Sequence, residues 1–110
     1  MTWNILSEPN QINEIIETSK LKPQLFFKHS TRCSISTMAL SRFEKSGILS
    51  NETIDCWYLD LLEFRPISAE IEKLTKVIHQ SPQAIVVHNE QVVYSESHGM
   101  IDAVEILNIV

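Results

Sequence analysis

The sequence predicts an α/β fold in which a mixed central β-sheet is flanked by helices on both faces. Three observations support this class: strand-like runs alternate with helical ones, one apolar stripe recurs at clear helical spacing, and a β-hairpin follows near the end of the chain. Strand–helix–strand units place parallel strands side by side, with the helices packed on the sheet. The hairpin adds antiparallel strands, so the sheet is expected to be mixed.

The first half of the chain indicates a helix, a strand and a second helix. Isoleucines at helical spacing predict a helix over residues 7–20, which Ser7 is suited to cap. The apolar run over residues 24–29 predicts a strand inside the sheet. A second helix is predicted from residue 34 to about residue 45, where Gly47 ends it. Its apolar residues recur at helical spacing: Ile35, Met38, Ala39 and Phe43.

The second half adds strands, a helix and a closing helix. Residues 53–59 are rich in β-branched and aromatic side chains and predict a second central strand. Pro66 suits the first turn of the next helix, whose apolar stripe is the clearest in the chain: Ile67, Ile71, Leu74 and Ile78. Residues 84–88 and 91–95 form the hairpin. A last helix is expected, with Met100, Val104 and Leu107 on one face. Residues 3–5 are compatible with a short opening strand.

Length and composition indicate an ordinary globular domain. The chain has 110 residues, which suits one domain, and 44% of them are apolar. A formal net charge of −5 argues against nucleic acid and gives no sign of binding to an anionic membrane. We expect no secretory signal and no membrane span, because the chain lacks a basic start and an apolar run of about 18 residues. Two cysteines are too few for a disulfide scaffold, so a reducing cytoplasmic location is expected.

Cys33 is the first candidate for chemistry, because it begins a predicted helix directly after a buried strand. The thiolate is the reactive form of cysteine, and helix N-termini stabilise negative charge. Arg32, Lys28 and His29 lie close in sequence and would add positive charge if they face the thiol. The competing interpretation is a small buried core residue, which is common for a free cysteine. The residues alone leave these two interpretations about equally open.

The second cysteine does not complete a dithiol motif. Cys56 lies in the middle of a predicted strand, where a core role is favoured and approach to a helix start is difficult. Ser36 stands where a dithiol motif would have its second cysteine. Its hydroxyl would either hydrogen-bond the Cys33 thiolate or serve as an ordinary polar residue of the first turn. A single thiol can still form a mixed disulfide and release it to another thiol.

The run Phe-Lys-His-Ser-Thr-Arg-Cys-Ser-Ile-Ser, residues 27–36, resembles the active-site segment of the YtxJ-like proteins, the monothiol bacilliredoxins of the bacillithiol system. The resemblance extends over nearly the whole chain and includes the Ser-Pro break at residues 81–82. One departure is Ser34, where the family often has proline. The resemblance implies a thioredoxin-like fold in which Cys33 is the redox nucleophile.

The resemblance also implies the reaction and the surroundings of Cys33. Bacillithiol, or a similar low-molecular-weight thiol, would be removed from mixed disulfides on client proteins, with no cofactor bound. The substrate would contact Ser81 and a cis-Pro82. From their positions beside the cysteine, Thr31 and Ser34 are also expected to contact the substrate, and Arg32, Ser36, Lys28 and His29 are expected to stabilise the thiolate. A monomer that binds neither nucleic acid nor membrane is expected.

Other functions remain to be weighed against this one. Monothiol glutaredoxins also have a Cys-x-x-Ser motif and carry iron–sulfur clusters, although theirs has glycine where this chain has Ser34. A thioredoxin-like domain can also bind partners without redox chemistry. We expect no metal site, because the histidines are dispersed and lack the spacing of a zinc motif. His29, the histidine nearest to Cys33 in sequence, suits either a base or a structural hydrogen bond.

Overall fold

A computed structural model describes residues 3–110 and shows a five-stranded mixed sheet with helices on both faces. Over these residues the elements in chain order are β1 (Asn4–Ile5), α1 (Asn10–Thr18), β2 (Gln24–His29), α2 (Ser34–Lys45), β3 (Asp55–Asp60), α3 (Arg65–Thr75), β4 (Gln83–His88), β5 (Gln91–Ser97) and α4 (Ala103–Ile109). Short 3₁₀ turns cover Ile48–Ser50 and His98–Met100. No helix in this part of the chain is long and apolar enough to cross a membrane.

The strand order is β1-β3-β2-β4-β5, which confirms the predicted mixed sheet. β1, β3 and β2 run parallel, whereas β4 is antiparallel to both β2 and β5. Lys28 pairs with Gln83, so the carboxyl end of β2 lies beside the start of β4. The segments that follow β2 and precede β4 therefore meet at one edge of the sheet.

The sheet separates two apolar layers. Successive side chains of a strand point to opposite faces, and β2 is buried on both. Phe27 packs in the layer under α2 and α4, which includes Phe43 and Ile106. Phe26 packs in the layer under α1 and α3, which includes Ile71. This double burial explains why β2 is apolar at its centre rather than alternating.

The ends of α1 and α3 differ from the sequence prediction. α1 starts after Pro9 rather than at a Ser7 cap, because the Gln11 side chain accepts the Ser7 backbone N–H at 2.9 Å. α3 stops at Thr75, since Lys76 adopts a left-handed conformation (φ 62°) and its N–H closes on the Glu72 carbonyl. Ile78 therefore lies outside the helix and is 75% exposed rather than part of the buried stripe.

The apolar face predicted for the last helix is wrong for Met100 and Val104, whereas Leu107 is partly buried and packs against the core. The Asp102 side chain accepts the Val104 and Glu105 backbone N–H groups, so α4 begins one residue after this cap. This start turns Ala103 and Ile106 toward the core. Met100 and Val104 are exposed instead.

Lys28 lies on the opposite face of the sheet from α2, which differs from the expectation that it would face Cys33. Side-chain alternation places it with Phe26, on the side covered by α3. Its Nζ donates to the Ser68 carbonyl at 3.3 Å and lies 3.2 Å from His79 Nδ1. Burial lowers the pKa of Lys28 to about 8, with a smaller opposing effect from Glu72.

Gly47 has a positive φ of 86° directly after α2, and nothing lies within 4 Å of a Cβ placed there. We expect Gly47→Ala to lower the free energy of unfolding by about 1 kcal/mol, because a side chain strains the left-handed conformation. Urea denaturation measures this loss. Gly99→Ala is the matched control, since Gly99 has open space and no positive φ. Equal effects of the two substitutions would contradict the assignment of strain to Gly47.

The buried ammonium of Lys28 predicts a pH-dependent stability. Its pKa of about 8 lies below the 10.5 of an unperturbed lysine, so the unfolded chain holds the proton more tightly between these values. The free energy of unfolding of the wild type should therefore rise relative to that of Lys28→Met, by about 1 kcal/mol between pH 7 and pH 9.5, with solvent screening allowed for.

Urea denaturation of both proteins at the two pH values tests this expectation. Lys73→Met, which replaces an exposed lysine of α3, should show no such change relative to the wild type. A constant difference between the wild type and Lys28→Met at both pH values would contradict a buried, proton-shedding lysine.

Candidate functional site

Two segments meet at the sheet edge where β2 ends and β4 begins. The first is the turn from Ser30 to Cys33, which connects β2 to α2. The second is Ser81–Pro82, immediately before β4, and the peptide bond between these residues is cis, as the family resemblance implies. The β2–β4 pairing thus brings Cys33 and Pro82 to one edge of the sheet.

Cys33 occupies the N-cap position of α2 with an extended backbone (φ −113°, ψ 121°). Its own N–H donates to the Ser30 carbonyl at 3.2 Å, and its carbonyl accepts the Thr37 N–H at 3.0 Å. The Cys33 side chain makes no capping hydrogen bond and is partly exposed. The first N–H groups of a helix lack partners within it, so a thiolate at this position is placed to accept from them.

Ser36 holds the turn that carries Cys33. The expectation that its hydroxyl hydrogen-bonds the Cys33 thiolate is not met. It is fully buried, accepts the Ser30 backbone N–H at 3.1 Å and shares a 2.8 Å hydrogen bond with His29 Nδ1. Within residues 3–110 no hydrogen bond joins Ser36 to the Cys33 sulfur. The hydroxyl therefore links the end of β2 to the first turn of α2.

His29 has a structural hydrogen bond rather than a free ring beside Cys33. Burial lowers the pKa of His29, and this effect outweighs the nearby carboxylates of Asp60 and Glu44. The ring is therefore neutral at neutral pH and supplies no positive charge to the site. Of the two sequence interpretations, the structural hydrogen bond to Ser36 is the one observed.

The residues beside Cys33 are accessible. Thr31, Arg32 and Ser34 are all exposed on the β2–α2 turn and the start of the helix. Among the described residues Arg32 has no ion-pair partner. Of the four residues expected to stabilise the thiolate, Arg32 is the one that combines exposure, full charge and adjacency to Cys33.

Cys56 is a core residue, as its position in the strand predicts. It is 5% exposed and packs in the apolar layer under α2. Burial, followed by the charge of Asp55, raises the pKa of the Cys56 thiol to about 12. A thiol that is both buried and protonated is neither a nucleophile nor a resolving partner for Cys33.

The segment before β4 is well packed. Pro82 is buried, and its carbonyl accepts the His98 N–H at 2.9 Å. The Ser81 hydroxyl is buried and has no hydrogen-bond partner within residues 3–110. The hydrogen bond from His98 to Pro82 places the His98–Met100 turn next to the cis-proline, an arrangement that the sequence pattern did not reveal.

The outer face of α2 is the second feature that the sequence pattern missed. Ile35 and Met38 belong to the apolar residues that recur at helical spacing, but they are 55% and 67% exposed. Burial in α2 instead falls on Ser36, Ala39 and Phe43. Two large apolar side chains therefore project into solvent within two turns of Cys33.

Comparison with known proteins identifies the fold and the family. The family model described as "Monothiol bacilliredoxin BrxC" matches residues 4–106. A solved structure described as a candidate oxidoreductase with a thioredoxin fold is 33% identical, with a TM-score of 0.81, over 96% of this chain and 90% of that chain. Two thioredoxins show the fold at low identity. That of Fasciola hepatica has a TM-score of 0.73 at 9% identity, covering 96% of this chain and 94% of its own.

The second thioredoxin with a similar fold is thioredoxin O2 of Arabidopsis thaliana in its oxidised state. It has a TM-score of 0.70 at 14% identity, covering 97% of this chain and 90% of its own. With its thioredoxin fold, a partly exposed Cys33 at a helix start and a match over residues 4–106, the chain belongs to the monothiol bacilliredoxin family of thiol oxidoreductases.

Proposed function

We propose that this protein removes bacillithiol, or a similar low-molecular-weight thiol, from mixed disulfides on client proteins through Cys33. One observation carries the proposal: Cys33 itself occupies the N-cap of α2, partly exposed and with no capping hydrogen bond from its side chain. The helix N-terminus stabilises negative charge at this position. Family membership supports thiol–disulfide exchange as the chemistry.

The proposed reaction has two exchange steps. In the first, the Cys33 thiolate attacks the small-thiol sulfur of the mixed disulfide, and the client thiolate leaves and takes a proton from solvent. Cys33 then carries the small thiol as a mixed disulfide. In the second step a free low-molecular-weight thiol, as thiolate, attacks the small-thiol sulfur, which releases a small symmetric disulfide and regenerates the Cys33 thiolate. Each step exchanges one S–S bond for another, so electrons balance.

The residues around Cys33 are proposed to stabilise the thiolate, to position the turn or to contact the substrate. Arg32 adds positive charge next to the thiolate, whereas Ser36 and His29 act as positioning residues that fix the turn. Thr31 and Ser34 on one side, and Ser81 and Pro82 on the other, are proposed to contact the substrate. No bound cofactor is required, because the small thiol is a co-substrate.

The proposed partners and location follow from the same chemistry. S-thiolated proteins are the clients, with the protein acting as a monomer in the reducing cytoplasm, where Cys33 is kept in its thiol form. An acidic net charge of −5 suits protein clients better than nucleic acid or an anionic membrane.

Turnover of a bacillithiol–client mixed disulfide tests the mechanism. We expect Cys33→Ser to reduce the rate to that of the uncatalysed exchange, because serine cannot form the mixed disulfide. Its circular dichroism and urea midpoint should match those of the wild type, since the substitution is nearly isosteric at a partly exposed position. Turnover by Cys33→Ser above the uncatalysed rate would overturn the mechanism.

Cys56→Ala is the matched control for the Cys33 variant. We expect its exchange rate to stay within about twofold of the wild type, because a buried, protonated thiol takes no part in exchange. Its stability should fall by roughly 1 kcal/mol from the cavity left in the apolar layer. A large loss of rate at unchanged stability would instead assign Cys56 a resolving role.

A further inference from the structure

We propose that one face of α2 binds an acidic segment of the client protein next to its modified cysteine. This face, here called the α2 stripe, consists of Ile35, Met38, Arg42 and Lys45. The inference rests on the proposed function, since it concerns the client of the same exchange reaction. It commits to a protein partner with an apolar residue followed by acidic residues.

Helical geometry places the stripe on a single face. Its members are separated by three, four and three residues, a spacing that aligns side chains along one side of a helix. All four are exposed, with Ile35 55% and Met38 67% accessible. The stripe begins two residues after Cys33, so it lies within reach of a client whose cysteine is engaged there.

The charge of the stripe is opposite to that of the whole protein. The chain carries a net charge of −5, yet the stripe contains two cations and no carboxylate. Neither Arg42 nor Lys45 forms an ion pair within residues 3–110. The one carboxylate of α2, Glu44, lies on another side of the helix, where it accepts the Trp3 indole N–H at 2.8 Å. This local positive charge complements an acidic partner.

The surface shape beside the stripe also fits a peptide. A cavity of about 170 Å³ opens between α2 and the His98–Met100 turn, and Ile35, Met38 and Arg42 line it. This is a suitable place for one apolar client side chain. The flexible thioether of Met38 allows different side chains to be accommodated.

A second depression runs along the other side of the stripe. Met38, Arg42 and Lys45 line it together with Thr37, Ser41 and Ser46, and no carboxylate is among its lining residues. Arg42 also lines a cavity toward α4, and there it is accompanied by the carboxylates of Glu96, Asp102 and Glu105, so that side does not suit an acidic client. Acidic client residues are therefore expected to contact Arg42 and Lys45 from the Ser41 side.

The dimensions of helix and peptide set the spacing of the client motif. With a rise of about 1.5 Å per residue, Met38 lies roughly 8 Å, Arg42 roughly 14 Å and Lys45 roughly 18 Å along the helix from Cys33. An extended peptide advances about 3.3 Å per residue. Alternate residues of an extended peptide share a face, so the client should carry an apolar residue about two positions from its cysteine and acidic residues about four and six positions away.

Exchange kinetics with peptide mixed disulfides test this proposal. Peptides of equal length carry the same small thiol on one cysteine and have two Glu, two Gln or two Lys at positions four and six from it. One set carries these residues before the cysteine and a second set carries them after it. For the wild type we expect kcat/KM to be about threefold to tenfold higher for the Glu peptide than for the Lys peptide in at least one set. This ratio should shrink at high ionic strength.

Charge reversal at the stripe is the decisive variant. The doubly substituted Arg42→Glu, Lys45→Glu protein should reverse the ratio, so that the Lys peptide becomes the better substrate. The matched control is Lys73→Glu, Lys76→Glu, which reverses one exposed lysine in the last turn of α3 and one directly after that helix, and should retain the wild-type ratio. Because the Glu-to-Lys ratio of kcat/KM is taken within each protein, a substitution that changes the rate for all peptides equally does not alter it.

The outcomes separate this proposal from the proposed function. Exchange of the wild type with hydroxyethyl disulfide, which has neither peptide nor charge, reports on Cys33 chemistry alone. If that disulfide and all peptides fail to react at Cys33, the proposed function is wrong and the docking proposal falls with it. If they react, but the ratio is near one or is equally altered by both double variants, only the docking proposal is overturned.

Discussion

The structure depends on the buried hydroxyl of Ser36 at the junction of β2 and α2. It shares a hydrogen bond with His29, the last residue of the strand, and accepts the Ser30 N–H, the first of the turn. These bonds join a strand end, a turn and a helix start through one side chain. As a result Cys33 is the N-cap of α2, and its sulfur is the group placed to accept from the free N–H groups of the first turn.

The same arrangement explains why the site uses one thiol. Ser36 stands where a second thiol would complete a dithiol motif, and its hydroxyl is already engaged away from Cys33. Cys56 lies within the core with its pKa raised to about 12. Because His29 is neutral and Lys28 faces the other side of the sheet, the helix N-terminus and Arg32 are the groups proposed to stabilise the thiolate. In the proposed reaction an external thiol therefore completes the exchange.

Much of the fold could be predicted because local pattern and tertiary environment agree. Gln24–His29 and Ser34–Lys45 match their predicted bounds, since an apolar run and a glycine-terminated helix are local signals. The exposed side chains of Ile35 and Met38 could not be predicted, because helical spacing defines a face but not what covers it. The partner of Ser36 and the direction of Lys28 likewise depend on the sheet. The end of α3 depends on a backbone conformation at Lys76 that composition does not encode.

The most direct test of the central claim is intact mass and peptide mapping after reduced protein is exposed to oxidised bacillithiol, oxidised glutathione or oxidised coenzyme A in separate reactions at neutral pH. Because Cys33 lies at an open helix N-terminus and Cys56 is buried, we expect a single adduct, on Cys33, that forms fastest with one of the three disulfides. Absence of an adduct on Cys33, or an adduct on Cys56 in the folded protein, would contradict the assignment of Cys33 as the reacting thiol.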